Sequence, residues 1–334
     1  MHSEKIDTDI LIVGAGLSGL MAANALLYQN FSVVMVDKGR SVGGRLATRR
    51  IGPGRADHGA QFFTIRSPEF QQWTERWFTE GLIYRWSNGW SDGSLAPANF
   101  DGNPRYAVHG GMNALAKHLA KGLQPHLNIR LAAITVTEQG WQSRAENGQV
   151  YTSKALLLTP PVPQSLALLE AGGVELESGD RAALEKIEYA PCLAGLFWLN
   201  GPLHLPEPGA IQHSHAPISW IADNQRKGIS PEATIITVHA GAEYSRQLWA
   251  APQTDVLAKL QVGFLPYMAP NTTILEAQLK RWRYARPTTV RPEPCLLAAN
   301  LPPLVFAGDA FSDPRVEGAA LSGLAASQVL STQL

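Results

Sequence analysis

The sequence predicts an α/β fold of the Rossmann type combined with an α+β region that contains an antiparallel sheet. Near the start of the 334-residue chain, a short apolar strand leads directly into a glycine-rich turn and an alanine-rich helix. The middle of the chain, residues 164–284, alternates short strands with few helices, which is typical of an antiparallel sheet covered on one side. The end of the chain returns to a buried strand followed by a second alanine-rich helix.

The first 37 residues predict a strand–helix–strand unit. Residues 10–13 form an apolar run of the kind found in buried parallel strands. Residues 20–27 are rich in Ala and Leu and predict a helix, and the β-branched residues 32–36 predict the second strand. A Rossmann-like parallel sheet is expected to grow from this unit.

The turn between the first strand and the helix carries the pattern Gly14-x-Gly16-x-x-Gly19. The first glycine allows the tight turn, the second lets a pyrophosphate approach the backbone, and the third lets the helix pack against the strand. The helix N-terminus offers free N–H groups to phosphates. The alternative is a glycine-rich turn of some other α/β protein. We predict a dinucleotide site that includes Leu17 and Ser18 of this turn.

Asp37 ends the second predicted strand, where its carboxylate can accept hydrogen bonds from ribose hydroxyls. Two later segments favour a flavin dinucleotide. Arg45 in the run 43–45 places a guanidinium near the pyrophosphate, although this run taken alone favours a surface turn. Asp309 follows the strand 304–307, and the helix that begins near Gly318 can direct its positive end at the flavin N1–C2=O edge. An ordinary strand–loop–helix is the alternative there.

Segments along nearly the whole chain make it resemble the FAD-dependent amine oxidase superfamily, and within it the branch of renalase and its bacterial homologues. The run 59–62 and the segment around Trp282 are specific to that branch. The segments are residues 37–38, 44–45, 57–64, 111–112, 159–163, 222–224, 280–283 and 308–311.

The resemblance implies an FAD-binding domain of the glutathione-reductase/amine-oxidase type, formed by residues 1–72, 104–163 and 285–334. It implies a substrate domain with an antiparallel sheet, formed by residues 73–103 and 164–284. FAD would be bound non-covalently. Beyond the glycine-rich turn and Asp37, the implied cofactor-binding residues are Lys38, Gly44, Arg45, Gly59, Ala60, Gln61, Phe62, Gly308, Asp309, Gly318, Ala319 and Ala320.

The bacterial members of this branch oxidise the 2- and 6-dihydro isomers of NAD(P) to NAD(P)+, and oxygen is reduced to hydrogen peroxide. A dihydropyridine transfers a hydride from carbon to flavin N5, so it needs a flat pocket that holds the ring within about 3–3.5 Å rather than a strong base. Candidate wall residues, each with core packing as its alternative, are Trp220, Tyr244, Trp249, Trp282 and Tyr284.

Among these, Trp220 and Trp282 are predicted to line the substrate pocket. His239 is predicted to join them and to contact the substrate amide or the flavin, with a buried structural histidine as the alternative. His58 lies in the segment that the resemblance places along the flavin, and a loop-shaping hydrogen bond is its expected role.

Two other functions stay open from the sequence. The first is an amine oxidase or desaturase-type oxidoreductase of the same superfamily, in which a lysine is often held near flavin N5. Here Lys227 lies in the polar run 224–228, which predicts an exposed turn and counts against amine oxidation. The second is a flavin-free binding protein on the same fold, which the retained glycines, Asp37, Arg45 and Asp309 disfavour.

The amino-acid composition argues against several classes of binding partner. Lys+Arg and Asp+Glu are both 28, so there is no basic surplus of the kind that nucleic-acid binding needs. The two cysteines, Cys192 and Cys295, form no CxxC pair, so no disulfide framework or metal site is expected. The polar first residues are not a signal peptide, and no apolar run reaches the ~18 residues of a membrane span. A cytoplasmic protein without a membrane partner is expected.

Overall fold

The computed structural model describes residues 5–93, 99–213 and 217–334. Its strands are β1 (Lys5–Val13), β2 (Val33–Val36), β3 (Thr48–Ile51), β4 (Gly54–Asp57), β5 (Ile83–Trp90), β6 (Asn99–Val108), β7 (Leu131–Thr137), β8 (Gly140–Ala145), β9 (Val150–Leu158), β10 (Tyr189–Leu199), β11 (Ala210–Gln212), β12 (Ile218–Asp223), β13 (Thr234–Ala240), β14 (Ile274–Pro287), β15 (Leu296–Leu297) and β16 (Leu304–Phe306).

The helices are α1 (Leu17–Tyr28), α2 (Pro68–Thr79), α3 (Asn113–Leu119), α4 (Val162–Glu170), α5 (Ser178–Glu185), α6 (Ala242–Gln247), α7 (Gln253–Gln261) and α8 (Val316–Ser331), with a short 3-10 helix at Leu265–Tyr267. The chain divides into two compact units. The first comprises residues 1–44, 116–188 and 287–334, and the second comprises residues 45–115 and 189–286.

The first unit is organised around a mixed sheet with the strand order β15-β16-β9-β1-β2, to which β8 and β7 add an antiparallel hairpin. Strands β16, β9, β1 and β2 pair in parallel, and the edge strand β15 pairs antiparallel with β16. Strand β1 is central and pairs in parallel with β2 and with β9. Its residues Ile10, Leu11 and Ile12 are fully buried, as expected for a strand covered on both faces.

Glycines allow the helices of the first unit to approach the backbone closely. A Cβ on Gly19 would lie 2.1 Å from the backbone oxygen of Gly14, so α1 can pack on the turn only without a side chain there. A Cβ on Gly323 in α8 would lie 2.1 Å from the backbone oxygen of Ser18 in α1. The contact between α1 and α8 therefore depends on the absence of one methyl group.

The second unit contains a five-stranded sheet with the order β11-β12-β13-β10-β14. Three neighbouring pairs in this sheet are antiparallel: β11 with β12, β12 with β13, and β13 with β10. One face of this sheet packs against α7 through an apolar cluster that includes Phe197, Val238, Leu260 and Phe264. Two further strand pairs, β3–β4 and β5–β6, belong to the same unit.

The predicted fold class is confirmed: a Rossmann-like α/β unit is combined with an antiparallel α+β unit. The strand pairs β3–β4 and β5–β6 lie in segments for which the sequence analysis predicts no strands. The division into FAD-binding and substrate domains is a functional assignment and stays a prediction.

In the part of the chain that the structure describes, no helix is both long and apolar enough to cross a membrane.

The packing of α1 on α8 generates a stability prediction. We expect Gly323→Ala to lower the free energy of unfolding by about 1–3 kcal/mol, because the added methyl group forces two helix backbones apart. Gly179→Ala in the exposed helix α5 is the matched control; its Cβ meets only the flexible carboxylate of Glu177, and it should be neutral or stabilising. Urea unfolding followed by circular dichroism measures both, and equal effects would contradict the close-packing argument.

Candidate functional site

The glycine-rich turn of the first unit is an open backbone cradle. Gly14 has a φ of 103°, in the region that favours glycine. A Cβ on Gly16 would meet no atom within 4 Å, so the space above this residue is free. Helix α1 has no side-chain cap at Gly16, and the buried hydroxyl of Ser18 has no hydrogen-bond partner. N–H groups and a hydroxyl at a helix N-terminus beside free space are the donors that a pyrophosphate takes.

The loop after β2 folds back over this turn. The Asp37 carboxylate accepts hydrogen bonds from Ala15 N at 2.7 Å and from Gly39 N at 2.6 Å, one on each oxygen. Gly43 N donates to Ala15 O at 2.8 Å, which seats the 43–44 turn beside Gly16. Each Asp37 oxygen keeps a further lone pair for a ribose hydroxyl. The side chain of Lys38 is bonded to Gln164 at 2.6 Å.

The last strand and helix of the first unit form a second open helix terminus. Gly308, with a φ of 136°, follows β16, and its N–H donates to the Ser322 hydroxyl at 2.8 Å. Helix α8 has no side-chain cap at Arg315. A Cβ on Gly318 would lie 2.0 Å from the backbone oxygen of Asp313, so glycine is required by the chain itself. Ala320 is fully buried, whereas Ala319 is partly exposed.

Together these features fit the pyrophosphate and ribose of a dinucleotide. The free space at Gly16, the unpartnered Ser18 hydroxyl and the uncapped end of α1 are suited to the phosphates, and Asp37 is suited to a ribose. The uncapped end of α8 offers positive potential for a group that gains negative charge.

The second unit contains a buried ion pair. Lys227 Nζ lies 2.6 Å from Asp57 Oδ2, and both side chains are completely buried. Lys227 also donates to the backbone oxygen of Gln61 at 2.5 Å, and it lies 4.8 Å from the centroid of the Trp86 ring. Burial lowers the pKa of Lys227, while the charge of Asp57 acts in the opposite direction. Its contacts with Asp57, Gln61 and Trp86 therefore fix the position of the Lys227 side chain.

The sequence prediction of an exposed turn at Lys227 was wrong, and Asn224 was also wrongly assigned to a solvated loop. Asn224 is fully buried, and its side chain donates to Ile235 O and to Thr237 Oγ1, both at 2.9 Å. The polar run turns inward because buried acceptors are available to it, which local polarity does not reveal. The argument against amine oxidation that rested on an exposed Lys227 is removed.

Four aromatic side chains form a cluster beside Lys227, which we call the tryptophan cluster: Phe62, Trp86, Trp90 and Trp220. Trp90 and Trp220 meet edge to face with centroids 4.9 Å apart, and Trp86 and Trp90 meet at 4.7 Å. Phe62 lies 5.6 Å from Trp220. Two predicted residues, Phe62 and Trp220, are thus brought together, and Trp86 and Trp90 are members that sequence reasoning did not single out.

His239 and Trp282 are linked to this cluster through strand pairing and through His58. His239 pairs directly with Trp220 across β13 and β12, so their side chains share one face of the sheet. The His58 ring stacks on Trp282 with centroids 5.3 Å apart. Trp282 Nε1 donates to His58 O at 2.8 Å, so the backbone of His58 is tied to β14. The loop-shaping role expected of His58 stays a prediction.

Both histidines are held neutral. Burial, followed by the charges of Lys280, His239 and Arg49, lowers the pKa of His58 to about 3. Burial, followed by the charge of Lys227, lowers the pKa of His239 to about 4. Near neutral pH neither ring takes up a proton.

Several buried polar atoms of this region have no hydrogen-bond partner, which is uncommon in folded proteins. These atoms are His58 Nδ1, Gln61 Oε1, Trp90 Nε1, Trp220 Nε1 and His239 Nε2. They include donors and an acceptor around aromatic walls. A polar, flat ligand would satisfy them.

Other predicted residues lie elsewhere. Tyr244 and Trp249 pack on the cluster that contains Phe264, on the α7 side of the sheet, so the prediction that they form walls with Trp220 was wrong. Tyr284 meets Tyr189 edge to face, and its backbone oxygen accepts from Arg45 at 3.3 Å. A Cβ on Gly59 would lie 2.0 Å from the oxygen of Arg45, which explains the glycine at that position.

Comparison with known proteins also indicates a dinucleotide-binding protein. Residues 12–79 match the NAD(P)-binding Rossmann-like domain, and residues 85–331 match the flavin containing amine oxidoreductase family. A curated relative, Protein anon-37Cs of Drosophila simulans, is 38% identical over 83 residues, which cover 25% of this chain and only 17% of that protein.

Solved structures agree in fold. Putrescine oxidase bound to putrescine superposes with a TM-score of 0.69 at 14% identity, covering 98% of this chain and 100% of that chain. A triple mutant of putrescine oxidase gives a TM-score of 0.72, also at 14% identity, with 98% and 100% coverage. A putative protoporphyrinogen oxidase from Exiguobacterium sp. 255-15 gives 0.69 at 12% identity, with 100% and 99% coverage.

The Rossmann-like unit with its dinucleotide cradle and the antiparallel unit with its aromatic cluster define an FAD-dependent oxidoreductase. The chain belongs to the flavin containing amine oxidoreductase family, whose profile matches most of its length. The predicted cofactor, FAD, is confirmed by this membership.

The free space at Gly16 generates a prediction about cofactor binding. We expect Gly16→Ala to purify with little FAD, because the new methyl group occupies the approach of the pyrophosphate without clashing with protein atoms. The apoprotein should unfold at the same temperature as wild-type apoprotein. Absorbance near the visible flavin band measures FAD content, with Gly179→Ala as the control that keeps it. A fully loaded Gly16→Ala protein would show that the phosphates lie elsewhere.

The buried ion pair generates a second prediction. We expect Lys227→Met to lower the free energy of unfolding by about 3–5 kcal/mol, because Asp57 is left charged and buried without its cation. The double variant Lys227→Met/Asp57→Asn should recover part of that loss. The matched control is Lys154→Met, which breaks an exposed pair with Asp9 and should cost less than about 1 kcal/mol. Similar losses for both lysines in chemical unfolding would be the contrary result.

Proposed function

We propose that the protein oxidises the 2- or 6-dihydro isomers of NAD(P) to NAD(P)+ with oxygen as electron acceptor, as the renalase-like branch that it resembles does. The observation that carries this proposal is the neutral character of the aromatic region. The tryptophan cluster is aromatic, and His239, which pairs with Trp220, stays neutral at physiological pH, as does His58.

The unpartnered polar atoms suit a dihydronicotinamide. The indole N–H groups of Trp90 and Trp220 can donate to a carboxamide oxygen, and Gln61 Oε1 can accept from its amide nitrogen. The aromatic rings offer stacking surfaces to a planar, uncharged ring. A ligand that fills these contacts replaces hydrogen bonds that the protein itself does not make.

Charge argues against a protonated amine as substrate. The Asp57 carboxylate, which could attract an ammonium group, is already neutralised by Lys227. Asp223 lies on the opposite face of β12 from Trp220, because alternate residues of a strand point to opposite sides. Within the described tryptophan cluster, therefore, no carboxylate is available to a cationic substrate.

Oxidation of a dihydropyridine requires no proton abstraction from the ring, because loss of one hydride leaves the aromatic pyridinium. FAD, when bound, would supply the acceptor for this hydride, and oxygen with protons would take up the two electrons as hydrogen peroxide. His58 and His239, whose rings are uncharged at neutral pH, leave the pyridinium product without an adjacent repelling cation. Trp220 and Trp282 orient the ring and exclude water from it.

We further propose that FAD is bound non-covalently by the residues of the glycine-rich turn, by Asp37, and by the residues that the resemblance implies. The glycines and the uncapped helix termini support this assignment in the first unit. In the second unit, Gly59, Ala60, Gln61 and Phe62 lie next to the buried Asp57, which fixes the course of their backbone.

Amine oxidation is the alternative, and the burial of Lys227 is the observation that favours it. The superfamily often holds a lysine near flavin N5, and Lys227 is buried among aromatic rings as such a lysine would be. The two functions differ in the charge of the substrate that the region accepts.

A stopped-flow comparison tests the proposal. Purified 2- and 6-dihydro isomers should reduce the flavin at least about 100-fold faster than 1,4-NADH, because a ring carbon misplaced by 1 Å loses that much rate. Putrescine and other amines should reduce it slowly or not at all. Faster reduction by any amine than by both isomers would establish the alternative.

A matched pair of variants localises the site. Trp220→Phe removes one unpartnered N–H group and should raise the apparent Kd of the isomers roughly two- to tenfold. Trp249→Phe, on the opposite side of the sheet, should leave the Kd unchanged. If Trp249→Phe has the larger effect, the substrate does not bind at the tryptophan cluster.

A further inference from the structure

One face of the second unit joins two basic side chains to the His58–Trp282 stack. His58 N bonds to Ala47 O at 2.9 Å, and Arg49 pairs with Ala56 two residues further along β3–β4. Because side chains alternate along strands, Arg49 and His58 lie on the same side of this hairpin. On β14, Lys280 shares a face with Trp282, and its Nζ lies 5.1 Å from the centroid of the indole ring.

These two cations act on the same stacked rings. Both Lys280 and Arg49 contribute to the lowered pKa of His58, after the larger effect of burial. Arg49 is exposed, and Lys280 is partly exposed. Neither forms an ion pair with a carboxylate in the described ranges 5–93, 99–213 and 217–334. Glu276, on the same face of β14, is occupied by Gly52 N and by Gln278.

A second, independent feature points to a ligand here. His58 is 7% exposed, and its Nδ1 atom is buried without a hydrogen-bond partner. The stack therefore combines an unsatisfied ring nitrogen with two uncompensated positive charges at its margin. A ligand with a polar group and adjacent negative charge would satisfy both.

We propose that Arg49 and Lys280, beside the His58–Trp282 stack, form an anion subsite that binds the pyrophosphate of the substrate dinucleotide. The inference rests on the proposed function, whose substrate it makes more specific: the protein recognises the dinucleotide and not only its reduced ring. A guanidinium and an ammonium each donate charge-assisted hydrogen bonds to phosphate oxygens. The same charges repel protonated amines, so the subsite also contributes to the choice between the two substrate classes.

FAD carries a pyrophosphate as well, and the experiment must separate the two sources. Arg49→Gln and Lys280→Gln are examined as holoenzymes, with FAD content measured by absorbance. ADP-ribose, which has the pyrophosphate but no nicotinamide ring, and NAD+ are the probes. Their Kd values are measured by calorimetry at low and high salt.

Two controls match the charge removed. Arg50→Gln removes an exposed arginine next to Arg49, on the opposite side of the hairpin with Thr48 and Asp57. Arg283→Gln removes an exposed arginine on the opposite side of β14 from Trp282. A nonspecific effect of net charge would weaken binding equally in the controls and in the subsite variants.

We expect each subsite variant to keep its FAD and to raise the Kd of ADP-ribose and NAD+ about fivefold, the upper range for an ion pair that water reaches. The controls should change the Kd less than twofold. Binding to wild-type protein should weaken with salt, and binding to the double variant should depend less on salt. Dihydronicotinamide riboside, which lacks phosphate, should reduce the flavin of all variants equally.

Three results would overturn the subsite: no binding of either probe to wild-type holoenzyme, equal losses in the controls, or loss of FAD from the subsite variants. The last result would assign the two cations to the cofactor. Failure of the proposed function gives a different set of results from failure of the subsite. Probe binding that depends on Arg49 and Lys280, without flavin reduction by the isomers, keeps the subsite and rejects the oxidation. Rapid flavin reduction by the isomers, with the probe Kd values unchanged in the subsite variants, keeps the oxidation and rejects the subsite.

Discussion

The ion pair between Asp57 and Lys227 fixes the geometry of the second unit. The Asp57 carboxylate also accepts from Thr48 Oγ1 at 2.5 Å and from Met112 N at 2.9 Å, while its backbone oxygen accepts from Gln61 and Thr237. One residue thus connects β3, β13 and the start of α3 to the run 59–62. Because the Asp57 carboxylate and the Lys227 ammonium are both shielded from solvent, their hydrogen bonds must be made with protein groups. The surrounding loops therefore have little conformational freedom. The positions of Phe62 and of the tryptophan cluster follow from this network.

The same ion pair sets the charge beside the tryptophan cluster, where the proposed substrate would bind. An isolated Asp57 would be an attractive anchor for an ammonium group, and an isolated Lys227 would attract anions. Paired at 2.6 Å, their opposite charges sum to zero, and the neutral histidines add no charge. Under the proposed function, the charges that would discriminate between substrates are those of Arg49 and Lys280 beside the His58–Trp282 stack, and both are positive. Burial and pairing therefore turn a region rich in ionisable residues into a neutral, aromatic one with a basic edge.

The sequence predicted correctly those features that depend on residues close together in the chain. The strand–turn–helix at Gly14 follows from neighbouring residues, and the structure places Asp37 against Ala15 because only a short helix separates them. Prediction from the sequence failed for side chains whose contact partners lie far away in the chain. Lys227 was assigned to solvent because its partner Asp57 lies 170 residues away, and no local pattern records that contact. Tyr244 and Trp249 were grouped with Trp220 by residue type alone, although they pack on the α7 side of the sheet.

His58 shows how sequence and structure combine at such a site. The chain around it resembles a flavin-binding segment, but its ring faces Trp282 and the basic edge, whereas the preceding residue, Asp57, faces Lys227. Alternation along the end of β4 therefore sends one side chain to the charged network and the next to the indole. A shift of one residue in the β3–β4 register would exchange these environments, burying an uncompensated imidazole beside Lys227 and exposing a carboxylate to Arg49. The ion pair with Lys227 opposes that shift, so it also keeps the Asp57 carboxylate on the side of the hairpin away from Arg49.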